Sequence, residues 1–261
     1  MINIHLAVSW IKHRLNANTR HGVHSPFVYR LVDEVIYDFT PRDEFSTIEN
    51  LRKKLLSDKR TITITDLGAG SHVNNNKQKQ VKQLAGHALK PARISQLLYR
   101  IVNDLKPKIS IELGTCLGIT TAYLAKAAPA SKVISVEGCP QTAAIAKENL
   151  KTLNAENVEL KTGNFDTVFP EILNQLETVD FVFIDGNHRK EATLNYFHQI
   201  LRKITADSLI VFDDIYWSKG MTEAWEEIKK HPDVSLTVDL FWIGLVYFRK
   251  GQAKEDFKIR F

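Results

Sequence analysis

From residue 109 onward, short apolar runs alternate with amphipathic stretches of helical length, and that rhythm admits few folds. The runs ISIEL (109–113), KVISVE (132–137), NVELKTG (157–163), DFVFID (180–185) and SLIVFDD (208–214) have strand length and are rich in Val, Ile and Phe. Between them, 119–128, 141–153, 167–176, 190–204 and 221–230 repeat apolar residues every three or four positions. Ala143, Ala146, Leu150 and Leu153 form one such stripe. Strands joined by helices must lie parallel, with both faces of the sheet covered. The end of the chain departs from this pattern. The runs 234–240 and 245–249 leave no room for a helix between them, which predicts an antiparallel hairpin at the sheet edge. The expectation is an α/β, Rossmann-like, doubly wound and mostly parallel seven-stranded sheet. A C-terminal antiparallel hairpin and an α-helical N-terminal extension complete it.

Residues 1–108 read differently. Helices are expected at 3–15, 26–38, 46–57 and 94–105, a lone strand at 61–65, and a polar loop or flap at 71–82. The formal net charge is +5, and the basic excess sits at 71–108, with eight basic residues and one acidic. Such a segment can steer an anionic partner, although a solvated loop and helix is the simpler reading. A chain that is 44% hydrophobic and 25% charged is globular rather than wholly disordered. At 261 residues it fits one large domain or two small ones. No apolar run approaches the roughly 20 residues that span a bilayer. The first helix has no small-residue cleavage site and does not read as a signal peptide. Two cysteines, Cys116 and Cys139, are too few for a secreted disulfide framework, so a cytoplasmic location is expected.

The residues that carry chemistry fall where the strand-like runs end. ELGTCLG (112–118) follows a strand and precedes a helix, the turn at which doubly wound sheets bind ligands. Gly114 permits a sharp turn, and Gly118 lets the helix begin close to a ligand. The spacing is not the G-x-G-x-x-G of dinucleotide sites. Glu112 would repel a pyrophosphate there but favours an ammonium or a sulfonium, which points to S-adenosylmethionine. Glu137, followed by Gly138, ends the next strand and is placed to accept both ribose hydroxyls. In GNFD (163–166), Asn164 can bond the adenine edge and Phe165 can pack on its face; a plain turn capped by Asp166 is the equal alternative. Asp185, Asp213 and Asp214 end adjacent strands on the same edge. Converging carboxylates repel one another unless a hard divalent cation neutralises them. His188, three residues past Asp185, suits a general base, because histidine ordinarily titrates near neutrality. Tyr216 and Trp217 either wall an aromatic or sugar substrate or pack in the core.

On these motifs, residues 92–250 resemble the class I S-adenosylmethionine-dependent methyltransferases. Within that class they are similar to the cation-dependent O-methyltransferases, such as the catechol and caffeoyl-CoA enzymes. ISQLLYRIV (94–102) resembles the helix before their first strand. The resemblance implies cofactor contacts from Glu112, Gly114, the Thr115 backbone and Gly118, and a ribose acid at Glu137 beside Gly138. It also implies a metal set of Asp185, Asp213 and Asp214, with magnesium the expected cation and Asp185 shared with the cofactor site. Two positions depart from the pattern. The family's catalytic lysine is His188 here, as in a related bacterial D-G-x-H group of O-methyltransferases where the histidine can serve as base. The second of the paired metal positions is Asp214 rather than Asn. The implied reaction is methyl transfer to a small-molecule hydroxyl, with His188 and Asp185 catalytic. Residues 92–261 would form the cofactor-binding domain, and 1–91 a helical cap with a basic flap. A homodimer is a further expectation; a nucleic-acid or membrane partner is not expected.

Two rivals remain. A nucleic-acid methyltransferase would use the basic 71–108 segment, but DGNH stands where an N-P-P-[YF] motif should follow the fourth strand. A non-catalytic binding protein on the same fold is the other. DLGAG (66–70) mimics the acidic-Gly turn, yet a polar loop follows it in place of a second strand ending in an acid. His21 and His24 have metal-ligand spacing without a supporting cluster, so a loop before the Pro26 helix is preferred. Trp10 is expected to be buried, and both cysteines are expected near the cofactor.

Overall fold

The computed structural model describes residues 3–65 and 77–261, the side chain of Lys77 excepted. DLGAG and the first half of the polar flap, 71–76, therefore lie outside the described residues. In chain order the elements are α1 (Ile4–Asn16), α2 (Pro26–Arg30), α3 (Asp43–Leu55), β1 (Thr61–Ile64), β2 (Lys77–Gln80), α4 (Val81–Ala88) and α5 (Ala92–Leu105). The alternating region follows as β3 (Ile109–Leu113), α6 (Ile119–Ala127), β4 (Lys132–Glu137), α7 (Pro140–Thr152), β5 (Val158–Thr162), α8 (Phe165–Asn174) and β6 (Phe181–Ile184). The chain then runs through α9 (Lys190–Ile200), β7 (Leu209–Asp213), α10 (Lys219–Lys230), β8 (Leu236–Asp239), β9 (Ile243–Tyr247) and β10 (Glu255–Lys258). Contacts gather the chain into two compact units, Phe39–Gln175 and Met1–Asp38 with Leu176–Phe261. These units are drawn differently from the expected 1–91 and 92–261.

In the unit Phe39–Gln175, β3, β4 and β5 pair in parallel, with Ile111 opposite Ile134 and Ser135 opposite Leu160. α5 turns Ile94, Leu97, Leu98, Ile101 and Val102 into the interior, the spacing of one helical face. Two expectations need correction here. The strand at 61–65 is not alone, because β1 pairs antiparallel with β2 from Thr61↔Gln80 to Ile64↔Lys77. The polar stretch to residue 82 is not all loop: β2 and the first turn of α4 occupy its end. Gln80 and Gln83 cap α4 reciprocally while Val81 and Ala85 are buried beneath it, so local capping overrides a polar composition.

In the other unit, β6 and β7 are parallel, and β9 runs antiparallel to both β7 and β8. β10 pairs in parallel with β8. The two units thus carry eight such strands, in the orders β5-β4-β3 and β6-β7-β9-β8-β10, rather than the seven expected. The hairpin is present but does not form the edge, because β10 covers the outer side of β8. Its sequence, Glu255–Lys258, is polar and short, so it carries no strand signal. Gly244 in β9 makes room for Trp225 of α10: a Cβ there would lie 2.6 Å from the indole Cη2. α2 begins with Ser25 as cap and Pro26 in its first turn, and then widens, the Tyr37 amide reaching back to the Val32 carbonyl at 2.9 Å.

α1 is held in this unit by polar contacts. His13 is buried, with Nε2 3.1 Å from Asp239 Oδ1. The Tyr216 hydroxyl donates to Asp239 Oδ2 at 2.6 Å and the Phe241 amide to Oδ1 at 2.9 Å. Burial alone would push the Asp239 carboxyl up. The bonds from His13 and Tyr216, the His13 charge and the Phe241 amide outweigh it and hold the group below the usual carboxylate range. Just past α1, the Asn18 amide donates to the Lys258 carbonyl and the Arg260 amide to Asn18. Trp10 is half exposed, not buried as expected, because α1 packs on its His13 side.

Candidate functional site

The unit Phe39–Gln175 carries a pinned turn between β3 and α6. Gly114 has φ 109° and Gly118 has φ 80°, conformations that favour glycine, and Cys116 joins them at φ 49°. The Gly114 and Thr115 amides both donate to the Val136 carbonyl at 2.9 and 3.2 Å, and the Thr115 hydroxyl meets that of Ser135 at 2.5 Å. Asn149 of α7 donates its amide to the Leu117 carbonyl at 2.8 Å. Glu112 is fully buried, and its Oε2 accepts from the hydroxyls of Thr121 and Ser135 at 2.5 and 2.6 Å. The turn is therefore preformed, with its shape set by side chains that spacing does not single out.

Glu137 joins this turn to the end of β4. Its Oε2 accepts from the Cys116 amide at 2.8 Å and its Oε1 from the Cys139 amide at 2.9 Å. Both cysteines thus flank the carboxylate expected at the ribose, with Gly138 between Glu137 and Cys139. Neither cysteine is in a disulfide, and the Cys139 thiol donates to the Thr63 carbonyl at 3.5 Å. Beyond β5, Asn164 rather than Asp166 caps α8, its Oδ1 accepting from the Asp166 amide at 2.9 Å. Asn164 is exposed and Phe165 is partly exposed, starting the helix.

The other unit holds a separate polar cluster. Asp185 directly follows β6, and Asp213 is the last, buried residue of β7. His188 lies 3.8 Å from Asp185 Oδ1 and 4.0 Å from Asp214 Oδ2 through its Nε2. Asp185, His188 and Asp213 each present a ligand atom such that all three lie within 4.8 Å of one another. Ligands about 2.0–2.6 Å from one ion lie at most about 5 Å apart, so the three atoms are close enough to share one ion, the carboxylates suiting a hard cation and the imidazole a borderline one. The grouping differs from the expected one: His188 stands with Asp185 and Asp213, and Asp214 beside the imidazole. Asp214 adopts φ 52° and donates its amide to the Trp242 carbonyl at 2.7 Å. Asn187, which the sequence reading passed over, shapes the D-G-N-H loop. It has φ 52°, donates to the Tyr196 hydroxyl at 3.0 Å and accepts from Arg189 at 2.8 Å. Tyr216 is buried against Phe241 and Asp239 and cannot wall a substrate, whereas Trp217 is half exposed.

Comparison with known proteins agrees with this architecture. Residues 111–215 match the family profile described as a methyltransferase domain. A transmembrane O-methyltransferase homolog of Mus musculus is 32% identical over 120 residues, 44% of each chain. The O-methyltransferase imqG of Aspergillus flavus is 27% identical over 114 residues, 41% of this chain and 45% of that one. The chain thus spans less than half the length of these curated relatives. Among solved structures, an O-methyltransferase from Bacillus cereus in complex with SAH aligns over 82% of this chain and 95% of its own, at TM-score 0.56 and 20% identity. The SAH-bound Podospora anserina methyltransferase PaMTH1 aligns over 87% and 97%, at TM-score 0.60 and 13% identity. Residues 111–215 are thus similar to a methyltransferase domain, and the fold is shared with these solved O-methyltransferase structures. Among the described residues, no helix is long and apolar enough to cross a membrane.

Proposed function

We propose that this chain is an S-adenosylmethionine-dependent O-methyltransferase acting on a small-molecule hydroxyl with the help of a divalent cation. The observation that carries the reading is the convergence of Asp185, His188 and Asp213 within 4.8 Å on a methyltransferase domain. When bound, S-adenosylmethionine supplies an electrophilic methyl group, and a divalent cation makes a hydroxyl more acidic. The 114–118 turn and Glu137 hold the cofactor's amino-acid and ribose parts, with Gly138, Asn164 and Phe165 toward the adenine. Glu112 keeps the turn in shape from beneath. Asp185 and Asp213 hold the cation, with Asp214 beside them. His188 takes the proton of the substrate hydroxyl, a role worth typically about 10²–10⁴-fold. Trp217 offers an exposed aromatic face to the substrate. Residues 92–261 form the working domain on this reading, and magnesium in a cytoplasmic setting is the expected cation.

The test is calorimetric titration with S-adenosylhomocysteine, with magnesium and with chelator, paired with a methyl-transfer assay on a panel of phenolic and sugar hydroxyls. Micromolar binding and chelator-sensitive turnover support the reading. Full activity in chelator removes the cation, and failure to bind S-adenosylhomocysteine removes the cofactor. One geometric fact favours a second reading for His188, since it sits within ligand reach of Asp185 and Asp213. A His188→Gln variant that loses turnover while keeping magnesium affinity marks a base; one that loses magnesium affinity marks a ligand.

A further inference from the structure

α1 faces two ways. One side is bound to its own unit: the Asn3 side chain donates to the Trp217 carbonyl at 2.9 Å, His5 lies 3.0 Å from the Thr222 hydroxyl, and His13 is buried against Asp239. The other side is apolar and uncovered. Ile4, Val8, Ile11 and Leu15 recur at steps of four, three and four, which places them on one face. They are 74%, 44%, 54% and 79% exposed. Exposed apolar residues scattered singly need no explanation, but a stripe along the length of a helix marks an interaction surface.

The charges indicate what covers it. At 100° per residue, Lys12 and Arg14 fall on opposite flanks of the stripe. α1 carries no Asp or Glu, and the first acidic residue of the chain is Asp33. Arg260 donates to the Arg14 carbonyl at 2.9 Å, which brings a third cation to the same end of the helix. Trp10 is half exposed with the Arg14 guanidinium 5.7 Å from its ring centre. Trp217 and Trp242, also half exposed, lie in segments to which α1 is tied: Asn3 bonds Trp217, and His13 packs on Phe241 beside Trp242. An apolar stripe, cations on both flanks, no acids and a marginal tryptophan compose a helix suited to lie in the plane of a lipid surface. A second copy of α1 would bring the same cations with no carboxylate to meet them, so charge complementarity selects an anionic bilayer.

We propose that α1 is an interfacial helix that seats this protein on a membrane surface rich in anionic lipid. The chain does not cross the bilayer through it, since α1 is 13 residues long. The proposal departs from the expectation of no membrane partner. The proposal does not depend on the catalytic reading, because its test uses binding alone. The full chain is floated with vesicles of phosphatidylcholine, and with vesicles of phosphatidylcholine mixed with phosphatidylglycerol. Wild type should float with the mixed vesicles and not with the neutral ones, and high salt should reverse this. Ile11→Asp with Leu15→Asp, and separately Lys12→Glu with Arg14→Glu, should each cut the bound fraction about tenfold or more. These side chains are exposed, so circular dichroism should be unchanged. Wild type that stays unbound on both vesicles overturns the proposal, as does Ile11→Asp with Leu15→Asp floating like wild type. A dimer that the Ile11→Asp variant disperses, without flotation of wild type, would assign the stripe to a second copy and also overturn it.

Discussion

Asp239 offers a sharp test of the energetics that hold α1 and the loop after β7 together. Replacing it with alanine removes one buried carboxylate and strands the Tyr216 hydroxyl, the Phe241 amide and His13 Nε2, which lie 2.6, 2.9 and 3.1 Å from its oxygens. Breaking a buried charged network by removing one partner costs about 3–5 kcal/mol, a large share of an ordinary domain's stability. Asp239→Asn keeps one acceptor and the shape, so about 1–3 kcal/mol is expected. Urea unfolding at pH 7 followed by tryptophan fluorescence measures both. The pH dependence carries a sign. Because the folded carboxyl sits below its usual range, its contribution is complete above the unfolded pKa, about 3.9, and fades as pH falls through the lower folded value. Asp239→Asn should therefore show a shallower loss of stability in acid than wild type. A cost under about 1 kcal/mol for Asp239→Ala would mean that the buried network does not anchor α1.

Three further outcomes follow from the geometry. Gly118→Ala forces an alanine to φ 80° with its Cβ 3.3 Å from the Ala146 carbonyl oxygen, so a loss of about 1–2 kcal/mol and weaker S-adenosylhomocysteine binding are expected from thermal melts and calorimetry. Gly244→Ala drives a methyl against Trp225 and should cost about 1–3 kcal/mol; an unchanged melting temperature would mean that α10 shifts freely. Glu137→Gln removes the charge that holds the Cys116 and Cys139 amides, and S-adenosylhomocysteine affinity should fall about tenfold or more; unchanged affinity takes Glu137 out of the cofactor site.

Much of the fold is readable because a short apolar run followed by a helical apolar stripe is repeated five times. The ends of those runs carry Glu112, Glu137, Asp185 and Asp213, so their placement at strand ends follows directly from the pattern. What the pattern cannot carry is anything decided by register or by a single polar side chain. The three-residue spacing of Asp185 and His188 hints at proximity, but only the β6–β7 pairing brings Asp213 to the same ligand group. Asn149 and Asn187 look like ordinary helix and loop residues, yet one holds the Leu117 carbonyl and the other shapes the loop to His188. β10 is missed because three charged residues and one phenylalanine make a strand only when an open edge is offered to them. Trp10 is misplaced for a related reason. A helix with apolar residues on more than one side does not announce which side packs, and here a buried histidine decides it.

The contacts that close α1 onto its own unit have a consequence for the order in which the chain can take shape. Asn3 to Trp217, His5 to Thr222, His13 to Asp239 and Arg14 to Arg260 span 214, 217, 226 and 246 residues of sequence. The unit Phe39–Gln175, by contrast, is one continuous stretch. On a ribosome, which releases chains from the amino end at about 5–20 residues per second, that stretch emerges whole while α1 still lacks every one of these partners. α1 is thus made before that stretch but secured only after it. For the roughly 10–50 seconds of elongation in between, its stripe of Ile4, Val8, Ile11 and Leu15 is available to whatever surface lies nearest.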